Sequence, residues 1–194
     1  MTSPESIADH FGYTTEWLRL GVVTQADLRQ QIAAFETSED KNTEHYRCAA
    51  FREYLNRCDA ISDQTFHDLL ALTDAGPDEC DLSLNRAFDL VHSELLTESQ
   101  LRWLRDRSGY GQHTSFRVVI DRILIGRRLT CEGLTGSVFQ EICAFNDATT
   151  IQQLLDHDDL TRDHVAWVAE HGCNKRLRNF ATQLLSSRRF QNCG

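Results

Sequence analysis

The residues best suited to chemistry are three histidines near the C-terminal end. His164 and His171 stand seven apart, with His157 nearby. Two helical turns separate the first pair, so both imidazoles fall on one face of a helix. Imidazole nitrogens ligate zinc and similar metals, but histidines exposed on a helix are commoner than a three-histidine site, and no metal is assigned. The seven cysteines make an odd number without a Cys-x-x-Cys pair, which indicates reduced thiols rather than a disulfide framework or a zinc knuckle. Gly109-Tyr110-Gly111 runs into Gln112-His113 and lacks the lysine of a phosphate-cradling loop. No catalytic residue and no cofactor is assigned.

Charge offers more. Residues 1–97 hold 18 acidic against 7 basic side chains, whereas residues 98–194 hold 11 against 13. Between positions 59 and 98, ten carboxylates face Arg86 alone. Asp74, Asp78, Glu79 and Asp81 form the densest part of that run, which either steers a basic protein partner or serves as a solvated face. The C-terminal end inverts the pattern: Lys175, Arg176, Arg178, Arg188 and Arg189 occur with no acid from Gly172 onward. Arg176 and Arg178 are the candidate contacts for a polyanion.

These groups need elements to hold them. Only two prolines occur in 194 residues, and Leu, Ala, Arg, Gln and Glu are plentiful, so the expected class is all-α. No apolar run reaches the roughly 18 residues that cross a bilayer. The polar N-terminus lacks the layout of a secretory signal. A cytoplasmic protein without membrane contact is expected.

One pattern organises the chain. An apolar residue precedes a Thr or Ser, and further apolar residues follow four and seven places after the hydroxyl, except that the first copy has Gln31 at plus seven and moves its apolar residue to Ile32. Copies begin at Val23-Thr24, Ile61-Ser62, Leu96-Thr97, Leu134-Thr135 and Leu160-Thr161, with Leu28, Phe66, Leu101, Phe139 and Val165 at the plus-four place. Such a hydroxyl caps the free N–H groups of a helix start, while the flanking apolar pair staples the entry. Successive hydroxyls lie 38, 35, 38 and 26 residues apart, a period typical of stacked helical hairpins. The fold expected is a short right-handed α-solenoid of about five helical hairpins. Residues 22–194 form the array, and residues 1–21 an N-terminal capping helical pair. That N-terminal pair also has the apolar and glycine spacing of a helix-turn-helix, yet its second helix offers Thr15, Glu16, Trp17 and Arg19, a poor set for reading bases.

Trp103 and Trp167 break the pattern. Both sit six places after the capping hydroxyl, where the other copies have Gln30, Asp68 and Glu141. They are either anchors for a partner or packing between neighbouring hairpins.

Arg47-Cys48-Ala49-Ala50, Arg86-Ala87-Phe88, Arg117-Val118-Val119 and Arg178-Asn179-Phe180-Ala181 each place an arginine before small or apolar residues on a second helix. With the hairpin period, this resembles HEAT-type or armadillo-like repeats over residues 22–190. The resemblance implies a structural role for the four arginines. Some HEAT-like enzymes hold two irons through His-Glu pairs, but Glu44-His45 and Glu170-His171 run in reverse, so no cofactor carries over. HEAT-like alkylpurine DNA glycosylases bind duplex DNA on a basic concave face, and net acidity opposes that comparison. The expected function is a non-enzymatic scaffold, adaptor or inhibitor whose acidic surface binds a basic protein. Nucleic-acid binding through the C-terminal helices is the alternative.

Overall fold

In the computed structural model, residues 4–74, 81–107 and 112–191 are described, and among them every regular element is a helix. The chain divides into two compact units at residues 110/111. Unit 1 contains α1 (Pro4–Phe11), α2 (Thr15–Arg19), α3 (Gln25–Thr37), α4 (Thr43–Arg57), α5 (Asp63–Asp74), α6 (Asp81–His92) and α7 (Glu98–Asp106). Unit 2 contains α8 (Thr114–Glu132), α9 (Gly136–Phe145), α10 (Ala148–Leu155), α11 (Arg162–His171), α12 (Lys175–Leu185) and α13 (Arg188–Gln191). No helix among the described residues is long and apolar enough to cross a membrane.

The five hydroxyl starts are all helix caps. Thr24, Ser62, Thr97, Thr135 and Thr161 accept the backbone N–H of Asp27, Thr65, Gln100, Val138 and His164 at 3.1–3.4 Å. Asp27, Gln100 and His164 return the bond to the cap residue's own N–H and close capping boxes. Most plus-four and plus-seven places point inward: Leu28, Phe66, Leu69, Leu101, Leu104, Ile142, Val165 and Val168 are buried, while Phe139 is half-buried against the core of unit 2. Each buried side chain contributes about 1.5–3 kcal/mol of hydrophobic free energy. Thr14, before α2, makes no side-chain cap bond. There the entry is held instead by Tyr13 packed edge-on to buried Trp17, ring centroids 5.2 Å apart.

Gln100 joins two starts. Its amide nitrogen donates to Asp63 Oδ1 at 2.8 Å, tying the first turn of α7 to the first turn of α5. Thr97→Ala removes the hydroxyl half of this box and is expected to cost about 1 kcal/mol, read from the urea midpoint of unfolding.

Three helix ends differ from the spacing-based expectation, the first being the helix expected over 114–129, which runs on to Glu132. The helix expected over 82–95 stops at His92, because Ser93 Oγ donates to Leu90 O at 2.7 Å and Glu94 turns left-handed at φ 62°. The helix expected over 175–188 breaks after Leu185, and Phe190 on the short α13 folds back into the core of unit 2. Gly12 ends α1 at φ +72°, a left-handed conformation that favours glycine, and a Cβ there would lie 2.5 Å from Arg47 Nη1 and displace that guanidinium.

Within unit 1, α1 packs on α3 and α4, α5 on α6, and α4 on α6. Within unit 2, α8, α9 and α10 pack mutually, α10 also meets α12, and α11 with α12 makes the closest hairpin. Asp147 is the hinge of that second set: its carboxylate caps α10 through Thr149 N–H and receives both arms of Arg122 from α8 at 3.0 Å. Partial burial pulls its pKa up, and the Arg122 pair with the cap bonds holds it below the usual aspartate value.

Candidate functional site

The two tryptophans occupy equivalent places. Trp103 on α7 meets Phe66 of α5 edge-on, centroids 5.6 Å apart at 81°, and Trp167 on α11 meets Phe139 of α9 at 5.9 Å and 80°. Each therefore rests on the plus-four phenylalanine of the preceding hydroxyl start. A histidine completes each group, His67 against Trp103 and His171 against Trp167. Between the two readings of plus six, these contacts are packing from one first helix to the next. Trp167 is half-buried, whereas Trp103 stays 41% exposed, with the Arg107 guanidinium 5.1 Å from its ring centre. Trp103 thus has a free face as well as a packing role.

The four arginines do not share one environment. Arg47 is buried and donates to Phe11 O, the last carbonyl of α1. Arg86 is buried beneath α5, donating to Leu72 O, with Glu44 Oε1 3.9 Å away and the Trp17 ring 5.7 Å away. Arg178 donates to Gly172 O at 2.6 Å and closes the C-terminal end of α11. Cations there compensate the negative end of a helix. Arg117 is exposed.

The basic C-terminal run is accordingly split. Arg178 is held by the hairpin turn, and Arg189 donates to His157 O and Asp158 O. Lys175, Arg176 and Arg188 face outward. Lys175 and Arg176 border an open groove between α10 and α12, about 670 Å³ in volume. Phe180 lies in this groove 42% exposed, because Leu177 and Ala181 take the buried stripe and position 180 falls a residue out of phase. The spacing of Arg176 and Phe180, one turn apart, carries that signal in the sequence.

Of the acidic candidates, Asp74 ends α5 and Asp81 opens α6; their side chains, and Asp78 and Glu79 entirely, lie outside the described residues. Elsewhere unit 1 turns two of its cations inward and pairs several others, while Arg29, Lys41 and Arg57 stay exposed with no ion-pair partner among the described residues. Besides Arg47 and Arg86, Arg52 meets Asp89 at 2.9 Å, Arg19 meets Glu16 at 2.6 Å, and Arg102 meets Glu98. Exposed Glu36, Glu39, Glu53 and Asp59 have no ion-pair partner among the described residues. Glu53 and Asp27 border a groove of about 170 Å³ between α3 and α4, lined also by Ala34, Tyr46 and Ala49. Unit 1 as a whole carries 20 acidic and 10 basic side chains, unit 2 carries 9 and 10.

Among the described residues neither the thiols nor the histidines form a cluster that could hold a metal. Burial pushes the Cys143 thiol up to about 11 and raises Cys48, so both stay protonated at neutral pH. Among the described residues no three His, Cys, Asp or Glu are placed to hold a metal. His164 has another task. Its Nδ1 accepts the Thr161 N–H at 3.2 Å and its ring lies 4.4 Å from Phe139. Desolvation there lowers its pKa against the opposing pull of Asp163. The unfolded chain therefore binds this proton first, and stability is full above the unfolded value of about 6.5 and falls as pH drops through the folded one. His164→Gln keeps an acceptor at this place and is expected to flatten the fall in thermal midpoint between pH 7.5 and pH 5.5, measured beside the unaltered chain.

Comparison with protein-family models, curated proteins and solved structures returns no match.

Proposed function

We propose that the chain is a non-enzymatic scaffold of stacked HEAT-like hairpins, a short right-handed α-solenoid, that binds a basic protein through the carboxylate-rich surface of unit 1. The observation that carries this reading is the disposition of the cations. Arg47 and Arg86 are buried, which withdraws two of the ten cations of a unit that carries 20 acidic side chains, so its outer surface is more acidic than the formal charge states. Such a surface accelerates encounter with a cationic partner and discourages polyanions. The repeated hydroxyl starts and the recurring tryptophan–phenylalanine contacts support the stacked-hairpin arrangement.

Capture from a low-salt extract tests it. The full chain is expected to retain a basic protein that is lost from a variant carrying Asp74→Lys, Asp78→Lys, Glu79→Lys and Asp81→Lys. Retention by both chains, or by neither, would remove the reading.

The nucleic-acid reading has weaker support, since Arg178 and Arg189 are engaged by backbone carbonyls. With about three outward cations, counterion release contributes little. A low-salt gel shift with duplex DNA is expected to show no retardation; retardation abolished by Arg176→Glu would reverse the order of the two readings.

A further inference from the structure

The groove between α10 and α12 carries chemistry opposite to that of unit 1. Lys175, Arg176, Asn179, Phe180 and Gln183 share the outer side of α12, and Gln152 of α10 faces them. No carboxylate lines the groove, and neither Lys175 nor Arg176 has an ion-pair partner among the described residues. Two adjacent cations without counter-charge, at the positive end of a helix, raise the local potential for an anion. Phe180 adds an apolar seat that water covers in the free chain. The volume of about 670 Å³ falls in the range of clefts that enclose a few side chains.

The three amides narrow the ligand class. Asn179 and Gln183 are one turn apart on α12, each with a carbonyl acceptor and an NH₂ donor, which is the complement of a peptide unit. Gln152 already donates its NH₂ to both oxygens of Asp156 at 3.1 Å, so it offers the groove its carbonyl oxygen. That same bond fixes a carboxylate beside the α10 edge. An extended polyanion leaving the groove on that side would meet it, whereas a short segment with charge at one end would not.

We infer that this groove docks a short acidic segment of another protein, with two carboxylates facing Lys175 and Arg176 and an apolar side chain seated on Phe180. The charge complementarity is local and does not depend on the acidic surface of unit 1, so the two proposals fail separately.

Panning the full chain against displayed random peptides of roughly a dozen residues tests it, followed by anisotropy titration of the enriched peptides. Enriched sequences are expected to carry at least two Asp or Glu next to Leu, Ile or Phe. Their affinity is expected to fall about tenfold or more with Arg176→Glu and again with Phe180→Ser, and to be unchanged by Arg117→Glu. Arg176 and Phe180 are exposed, so the helical circular dichroism of both variants should match the unaltered chain. If Phe180→Ser lowers it, Lys175→Glu with Arg176→Glu supplies the same readout. Enrichment of basic or uncharged peptides, or equal binding by the variants, would overturn the inference. So would an oligothymidylate single strand that binds more tightly than the peptides and displaces them. A fall in solution mass on Arg176→Glu would assign the groove to a second copy of this chain and overturn it equally.

Discussion

Arg86→Ala is expected to destabilise unit 1 by about 3 kcal/mol. Arg86 is only 2% exposed, and three groups depend on its guanidinium. Leu72 O near the end of α5 loses its donor, Glu44 keeps a buried oxygen with no cation beside it, and the Trp17 ring loses the charge over its face. Removing one member of a buried pair costs about 3–5 kcal/mol. The lower end applies here, because the approach to Glu44 is 3.9 Å without a hydrogen bond and that side chain keeps some solvent. Arg117→Ala, at the corresponding place of the Arg-Val-Val stretch, is exposed and is expected to change stability by no more than about 0.5 kcal/mol. Urea unfolding followed by circular dichroism separates the two. Equal effects would mean that burial does not decide what these arginines contribute.

Phe66→Ala is expected to cost about 4 kcal/mol, since the ring is fully buried and α5 and α7 both rest on it. Trp103→Ala costs less, because 41% of that residue already faces water. The informative quantity is their coupling. A double-mutant cycle on Phe66 and Trp103 is expected to give about 1 kcal/mol from the edge-on rings, with the same sign and size at Phe139 and Trp167. Coupling at one pair and not the other would show that the shared ring geometry does not reflect a shared packing rule.

The helix starts were legible because everything that makes them is local. Thr97, Leu96 and Leu101 lie within six residues, and cap and staple follow from their types alone. Helix class followed from composition for the same reason. The destination of the tryptophans was not legible, since the plus-six place points out of its own helix and what it meets depends on how the preceding first helix lies. The spacing marks Phe66 and Phe139 only as core residues of their own starts. Arg178 and Arg176 show the limit within one helix. Both are basic and two residues apart, yet one points back to the Gly172 carbonyl and the other borders a groove. The 3.6-residue period, with Leu177 and Ala181 as its buried stripe, contains that distinction and also places Phe180 outside. Glu94 in a left-handed turn, which ends α6 early, has no such signal, as the sequence offers no glycine there.

The central claim is that an excess of carboxylates, with Arg47 and Arg86 turned inward, gives unit 1 an acidic surface for a basic protein. Its most direct measurement is the affinity of the captured partner at about 50 and about 200 mM salt, for the full chain and for the variant reversed at Asp74, Asp78, Glu79 and Asp81. The account predicts that affinity falls about tenfold or more with reversal, and that the salt dependence of the unaltered chain largely disappears in the variant. An affinity and a salt dependence unchanged by reversal would contradict it.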